Sequence, residues 1–308
     1  MTPKPLINHR VRVVVLMGIM LATAACFVLI KIGLAYAPPL RFGGLRLLLA
    51  GVALLPLAGS GWRLPPKLWG PTALLALASS ALGYSSMFIS PKLTEAGIAV
   101  VLGNSQPLVV TLLAAWLLAE RLSWGKGLAL VLGLAGVSLL AYPALRSAGT
   151  SLDGALLALA SSLAFALGTV LIKRVNPGTS LIALSAWQLI LGSLPLVVAS
   201  GLFEASQVIR WAPQFIAVLL ALALVGTAFV TAGWYWLVQG AEVGRLSQWF
   251  FLVPAIGLGL AVGLLGERVV WVQGAGLVLV SAGLMLLNLE ERVQNPPRAK
   301  PAAKGGEW

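Results

Sequence analysis

The sequence predicts an all-α polytopic membrane protein, with ten transmembrane helices arranged as two inverted five-helix repeats. Three observations carry that expectation. The 308 residues are 59% hydrophobic and only 10% charged, with a mean hydropathy of +0.96, whereas soluble domains average about 25% charged residues. The apolar residues fall into ten long runs. A motif near position 107 recurs near position 254, spaced alike in both places.

A helix needs about 20 apolar residues to cross the hydrocarbon. That ruler gives spans at 12–35, 41–59, 69–90, 95–118, 125–142, 153–173, 180–202, 213–238, 243–265 and 270–289, the second and fifth being short. Barrel strands would instead alternate over about 10 residues. The first span follows the basic start NHRVRVVV and is too long for the apolar core of a signal peptide. Basic residues alternate in number between successive loops. With both termini on one side, fourteen of the 21 lie there (Lys4, Arg10, Arg12, Arg63, Lys67, Arg121, Lys126, Lys173, Arg174, Arg245, Arg292, Arg298, Lys300, Lys304). Five lie opposite: Arg41, Lys92, Arg146, Arg210 and Arg268. This positive-inside bias places both termini in the cytoplasm of an inner, or plasma, membrane. It also accounts for the net charge of +12 without nucleic acid. The tail 291–308 is Pro- and Lys-rich, expected to be disordered and drawn to anionic lipid.

Sliding 95–140 onto 242–287 without a gap gives 18 identities in 46 positions. They include Glu95/Glu242, Gly97/Gly244, Pro107/Pro254, Glu120/Glu267, Arg121/Arg268 and Trp124/Trp271, all offset by 147. VLIK at 28–31 recurs at 170–173, an offset of 142. The chain therefore divides into repeats at 1–146 and 150–290, the basic tail following. Five spans per repeat is odd, so the second copy enters the membrane upside down, as in secondary transporters that open one central site to alternate sides.

A Pro within span four, Glu-Arg at its end and a Gly-rich fifth span, all repeated in spans nine and ten, resemble the EamA family of the drug/metabolite transporter superfamily. FVLIK in span one and PPLRFGGLRLLLAG at span two are similar to that family too. The first span departs from it, with ATAACF at 22–27 where members often carry a preceding Trp-Gly pair. The resemblance implies ten helices, a central cavity between the halves, and export or uptake of small metabolites, often amino acids.

Polar and aromatic residues are the candidates for that cavity. Asn104 and Gln106 precede the first repeated Pro; Tyr84, Ser85 and Phe88 lie in span three, and Ser162, Phe165 and Thr169 in span six. Thr227, Thr231, Trp234 and Tyr235 lie in span eight, and Gln248, Trp249 and Phe251 in span nine. Aromatic walls with a few amides suit amphipathic metabolites, although Trp234, Trp236 and Trp249 also fit an interfacial belt. Lys31 and Arg46 are the basic residues within spans, placed either to meet a substrate carboxylate or to snorkel from near the span ends. Pro107 and Pro254, read as midway along their spans, are either paired hinges or static kinks. Glu120-Arg121 and Glu267-Arg268 read as loop-fixing ion pairs, with gate latches as the alternative.

The nine carboxylates all fall at helix ends, loops or the tail, and the one histidine is His9. No intramembrane acid is available for proton coupling. No Ser/His/Asp set, metal-ligand cluster or phosphate loop appears, so neither an enzyme nor a cofactor is expected. The expected partners are a small-molecule substrate and membrane lipid. Glycines in spans five, nine and ten serve close packing within a monomer, or a dimer seam at spans five and ten. The competing readings are an organic-phosphate or drug transporter of the same superfamily, or a membrane protein that transports nothing.

Overall fold

Proline and serine set where the helices begin. Pro39, Pro66 and Pro213 each stand in the first turn, where the missing N–H costs nothing. Ser123, Ser151 and Ser180 cap theirs by accepting from Lys126, Gly154 and Ala183 amides at 3.2 Å. The computed structural model describes residues 9–93, 102–103, 105–142, 151–175, 180–265 and 270–294.

The first half comprises α1 (His9–Gly33), α2 (Pro39–Leu54), α3 (Pro66–Leu75), α4 (Gly83–Leu93), α5 (Gln106–Leu118) and α6 (Trp124–Leu140). A one-turn-wide π-helical segment, Ala76–Leu82, joins α3 to α4 in one continuous span. The second half comprises α7 (Leu152–Lys173), α8 (Leu181–Phe203), α9 (Pro213–Ala223), α10 (Val230–Gln239), α11 (Val243–Gln248), α12 (Leu252–Leu265) and α13 (Trp271–Gln294). A second π-helical segment, Leu224–Phe229, joins α9 to α10, and a 3₁₀ turn, Trp249–Phe251, joins α11 to α12.

Six of the resulting segments are long and apolar enough to cross a membrane: Arg10–Ile30, Pro66–Ser90, Leu152–Lys173, Leu181–Phe203, Pro213–Gln239 and Val243–Leu260. Pro39–Leu54 with Pro56–Trp62, bent by 65°, is a seventh, and three shorter apolar helices complete the ten: α5, α6 and Trp271–Leu286. The bend falls where Pro56 follows α2, so the second span is straight only to Leu54 rather than to 59.

The packing repeats with the sequence. The second helix of one half lies along that of the other (α2 on α8), as do the fifth helices (α6 on α13) and the fourth spans (α5 on α11). Helix α1 packs on span eight and on α12; its repeat mate α7 packs on span three and on α5. Exchanging the halves leaves this set of contacts unchanged, as a two-fold between inverted repeats requires. The π segments obey it too, since Pro66 and Pro213, which open the spans holding them, differ by the same 147 positions. Trp124 and Trp271, mates at opposite ends, are 86% and 83% exposed, placing each against the surroundings at its own end of the bundle.

Pro107 is the second residue of α5, and Pro254 the third of α12, where it follows the 3₁₀ turn inside the single span Val243–Leu260. The Leu102 and Gly103 carbonyls before Pro107 accept from the Ser162 hydroxyl at 2.7 and 2.8 Å, which answers the need for partners at membrane depth. Of the glycines of spans five and ten, Gly136, Gly276 and Gly283 serve the seam between α6 and α13 inside the monomer, while Gly127 and Gly274 meet nothing within 4 Å. A Cβ on Gly136 would meet the Gly276 carbonyl at 2.8 Å, and one on Gly276 the Gly136 carbonyl at 2.7 Å. Gly257 and Gly259 face open space instead.

Candidate functional site

Arg46 is the eighth residue of α2, near the middle of a 16-residue helix, so its guanidinium cannot reach either end of the bundle. It does not snorkel: the side chain is 2% exposed. Its Nε donates to Thr227 Oγ1 at 2.6 Å, and its Nη2 to the Gly226 carbonyl at 3.1 Å and to Cys26 Sγ at 3.5 Å. The rings of Tyr84 and Phe88 lie 5.3 and 5.9 Å from the guanidinium carbon. Insertion of a charge at helix centre costs about 2.5–3.5 kcal/mol. Bonds from a charged donor contribute about 1.5–3 kcal/mol each and offset it.

The second π-helical segment makes this geometry possible. Thr227 Oγ1 donates to Leu222 O at 2.9 Å, five residues back, so the wide turn holds the hydroxyl in place while its lone pair faces Arg46. Gly226 must be glycine, because a Cβ there would stand 2.4 Å from Cys26 Sγ. The Thr227 and Thr231 hydroxyls both face that of Tyr84.

The same construction stands in the other half. Offsets of 142 for span two and 147 for span three pair Arg46 with Gln188 and Thr227 with Ser80. Gln188 Nε2 donates to Ser80 Oγ at 2.9 Å, and Tyr235 donates its phenolic hydrogen to Gln188 Oε1. Gln188, Ser80 and Tyr235 are 2%, 0% and 4% exposed. Gly192 admits Ser80, whose Cβ would lie 2.3 Å from a Cβ on that glycine. Two arms, one cationic and one neutral, thus each cross to a hydroxyl on a π-helical segment of the opposite half.

Of the cavity candidates, Arg46, Tyr84, Phe88, Thr227 and Thr231 come together here. Trp234 is buried in a separate cluster rather than interfacial; its Nε1 donates to Thr169 at 3.2 Å and its ring meets Phe250 at 4.8 Å. Gln248 does not join them: its Nε2 reaches the Lys126 carbonyl at 3.4 Å, toward the end of the bundle where α1 begins. Trp249, in the 3₁₀ turn of span nine, and Gln106, the first residue of α5, are both half-buried. Asn104 and the side chain of Lys31 lie outside the described residues. Gln188 is absent from the sequence candidates, although the 142 offset marks it as the mate of Arg46.

At the end of the bundle where α1 begins, Glu120 corrects the ion-pair expectation, since it forms no ion pair with a described basic side chain. Its carboxylate accepts from the Val243 and Gly244 amides at 2.7 and 3.0 Å, capping the start of α11 in the other half. Ala119 makes this reach possible by taking a left-handed conformation (φ 54°). Glu242 binds Lys126 at 2.9 Å, and Lys173 Nζ donates to the Val238 and Ala241 carbonyls at 2.7 Å. Leu118, Glu120, Lys173, Gly240, Ala241 and Glu242 line an open cleft of about 500 Å³. Glu267 and Arg268 lie outside the described residues.

A family model described as the EamA-like transporter family matches residues 11–142 and again 152–289. The chain belongs to that family. The two matches divide this EamA-family chain as its two sets of helices do, and make it a multi-pass membrane protein. It is 30% identical over 284 residues to a "Probable amino-acid metabolite efflux pump" of Salmonella typhimurium, covering 88% of this chain and 93% of that one. A like-named Escherichia coli protein is 29% identical over 84% of this chain and 89% of its own. The "Uncharacterized transporter YvbV" of Bacillus subtilis is 29% identical over 86% and 87%. A solved crystal structure superposes with a TM-score of 0.80 over 94% of this chain and all of its own, at 18% identity, which shows the fold. Family and relatives make this chain a transporter.

Proposed function

We propose that this protein exports amino acids or similar small amphipathic metabolites across the inner membrane by alternating access, with both termini cytoplasmic. The observation that carries the reading is the pair of arms at the centre, Arg46 to Thr227 and Gln188 to Ser80. Each belongs to one half and ends on the other, so a rocking of the halves would remake both. Tyr84, Phe88, Thr231 and Trp234 supply walls suited to amphipathic cargo, with Gln106, Gln248 and Trp249 on the access routes. The relatives in S. typhimurium and E. coli carry amino-acid metabolite efflux in their names. Pro107 and Pro254, at positions matched by the offset of 147, serve as the hinges. An organic phosphate would want two or more deep cations, and the other described basic side chains stand at helix ends.

The test is counterflow of radiolabelled amino acids in proteoliposomes holding the purified chain. Saturable exchange is expected for at least one amino acid, and replacing both prolines with Ala should slow it without reducing the yield of folded protein. Absence of exchange for every amino acid sinks the reading. Cysteines placed one at a time at positions 122 and 269 should label from opposite sides of the membrane; labelling from one side refutes the inverted arrangement.

A further inference from the structure

We infer that Arg46 is the recognition group for a single carboxylate on the transported molecule, entering end-on at its Nη1. The inference rests on the transport reading above and gives its substrate a charge. Arg46 Nη1 is buried and has no hydrogen-bond partner, although Nε and Nη2 of the same group are both bonded. The described ion pairs involve Lys126 and Arg245 with Glu242, so no described carboxylate neutralises Arg46. A buried cation without a counter-charge is costly unless a ligand supplies one.

The repeat shows that the positive charge is surplus to packing. At the mate position a neutral amide, Gln188, makes the same crossing to Ser80 and is equally buried. If the arm served only to tie span two to span eight, an amide would suffice there too. The rings of Tyr84 and Phe88 lie 5.3 and 5.9 Å from the guanidinium carbon, and Nη2 is taken up by Gly226 O and Cys26, which leaves the Nη1 amino group for an anionic ligand. A lone cation with one unpaired amino group suits a monoanionic carboxylate better than a phosphate, which carries more charge. The neutral Gln188 and Tyr235 side faces the uncharged remainder of the molecule.

The experiment compares thermal unfolding of the full-length chain in detergent with each proteinogenic amino acid and its carboxamide at equal concentration. Wild type, Arg46→Gln and Arg46→Lys are measured. Arg46→Gln copies the mate site and is expected to fold. At least one free amino acid should raise the wild-type midpoint by about 2 °C or more, while its carboxamide does not. Arg46→Gln should lose that shift and Arg46→Lys keep part of it. The inference is overturned if no free carboxylate shifts the wild type, if carboxamides shift it equally, or if Arg46→Gln retains the carboxylate preference. Should Arg46→Gln not fold, wild type and Arg46→Lys still decide, since an undiminished preference with Lys contradicts recognition through Nη1. Flux in proteoliposomes without carboxylate preference defeats this inference alone; ligand shifts without any flux defeat the transport reading instead.

Discussion

Thr227→Val keeps the shape of the side chain and removes the hydroxyl that Arg46 Nε uses at 2.6 Å. A hydrogen bond to a charged group contributes about 1.5–3 kcal/mol, and a neutral one about 0.5–1.5 kcal/mol. Thr227 also loses its own bond to Leu222 O at 2.9 Å. Together these put the cost at about 2–4 kcal/mol. At the mate position, Ser80→Ala removes the acceptor for the neutral Gln188 amide at 2.9 Å, which costs about 0.5–1.5 kcal/mol. At about 2 °C per kcal/mol for a chain of this size, the midpoints should fall by about 4–8 °C and 1–3 °C respectively. Tryptophan fluorescence during thermal unfolding in detergent reads both. Repeating Thr227→Val in an Arg46→Gln background should bring its cost down to that of two neutral bonds, about 1–3 kcal/mol, since the charge is then gone. Equal costs for the two substitutions in the wild-type chain, or an undiminished cost without Arg46, would refute the reasoning.

Ala119→Gly should stabilise the chain by about 0.5–1 kcal/mol, because φ 54° strains an L-residue by about 1–2 kcal/mol and glycine relieves it at some entropic cost; thermal unfolding checks it. Glu120→Ala deletes both amide acceptors at the start of α11 and should cost about 3 kcal/mol, while Glu120→Gln keeps one and should cost about half that. The order Ala worse than Gln, read from unfolding midpoints, distinguishes a cap from a merely nearby charge. Gly276→Ala drives a methyl against the Gly136 carbonyl and the Leu140 amide and should destabilise by about 1–3 kcal/mol. Gly274→Ala, with nothing within 4 Å, should stabilise by about 0.5–1 kcal/mol, and the opposite signs are the check.

Spans and repeat were legible because they are written in composition and spacing, which survive whatever the neighbours do. The ten apolar runs recur as ten helical segments, and the offset of 147 reappears in helix starts and π-helical segments that no identity count covered. Depth was harder. A span drawn as 41–59 puts Arg46 close to its edge, whereas the helix starts at Pro39 and bends at Pro56, which puts Arg46 at its centre. The π-helical segments are invisible to periodicity, since one wide turn leaves the apolar pattern on both sides intact. Glu120 showed its end-of-helix position in sequence but not its partners, which are amides 123 and 124 residues away. Glycine spacing likewise marked close approach as possible: Gly136 and Gly276 realise it against each other, while Gly257 and Gly259 do not.

The two central arms also show how a duplicated unit acquires a direction of its own. At the position where the first half has Phe88, the second has Tyr235, by the same offset of 147. Each ring matches its arm. The guanidinium of Arg46 takes the apolar face of Phe88 at 5.9 Å, whereas the amide of Gln188 takes the hydroxyl of Tyr235. A hydroxyl on Phe88 would offer an acceptor to the unpaired Nη1 of Arg46, which the bare ring leaves free for a ligand, and a bare ring at 235 would leave the buried Gln188 carbonyl unpaired. The sites therefore differ by paired substitutions, each consistent with its own neighbours. Random drift from a symmetric ancestor would first have left one member of a pair unsatisfied at membrane depth, where water does not repair the loss. A single charge at a position whose twin is neutral, with its surroundings adjusted to hold it, is what a site for an unsymmetrical, singly charged cargo requires.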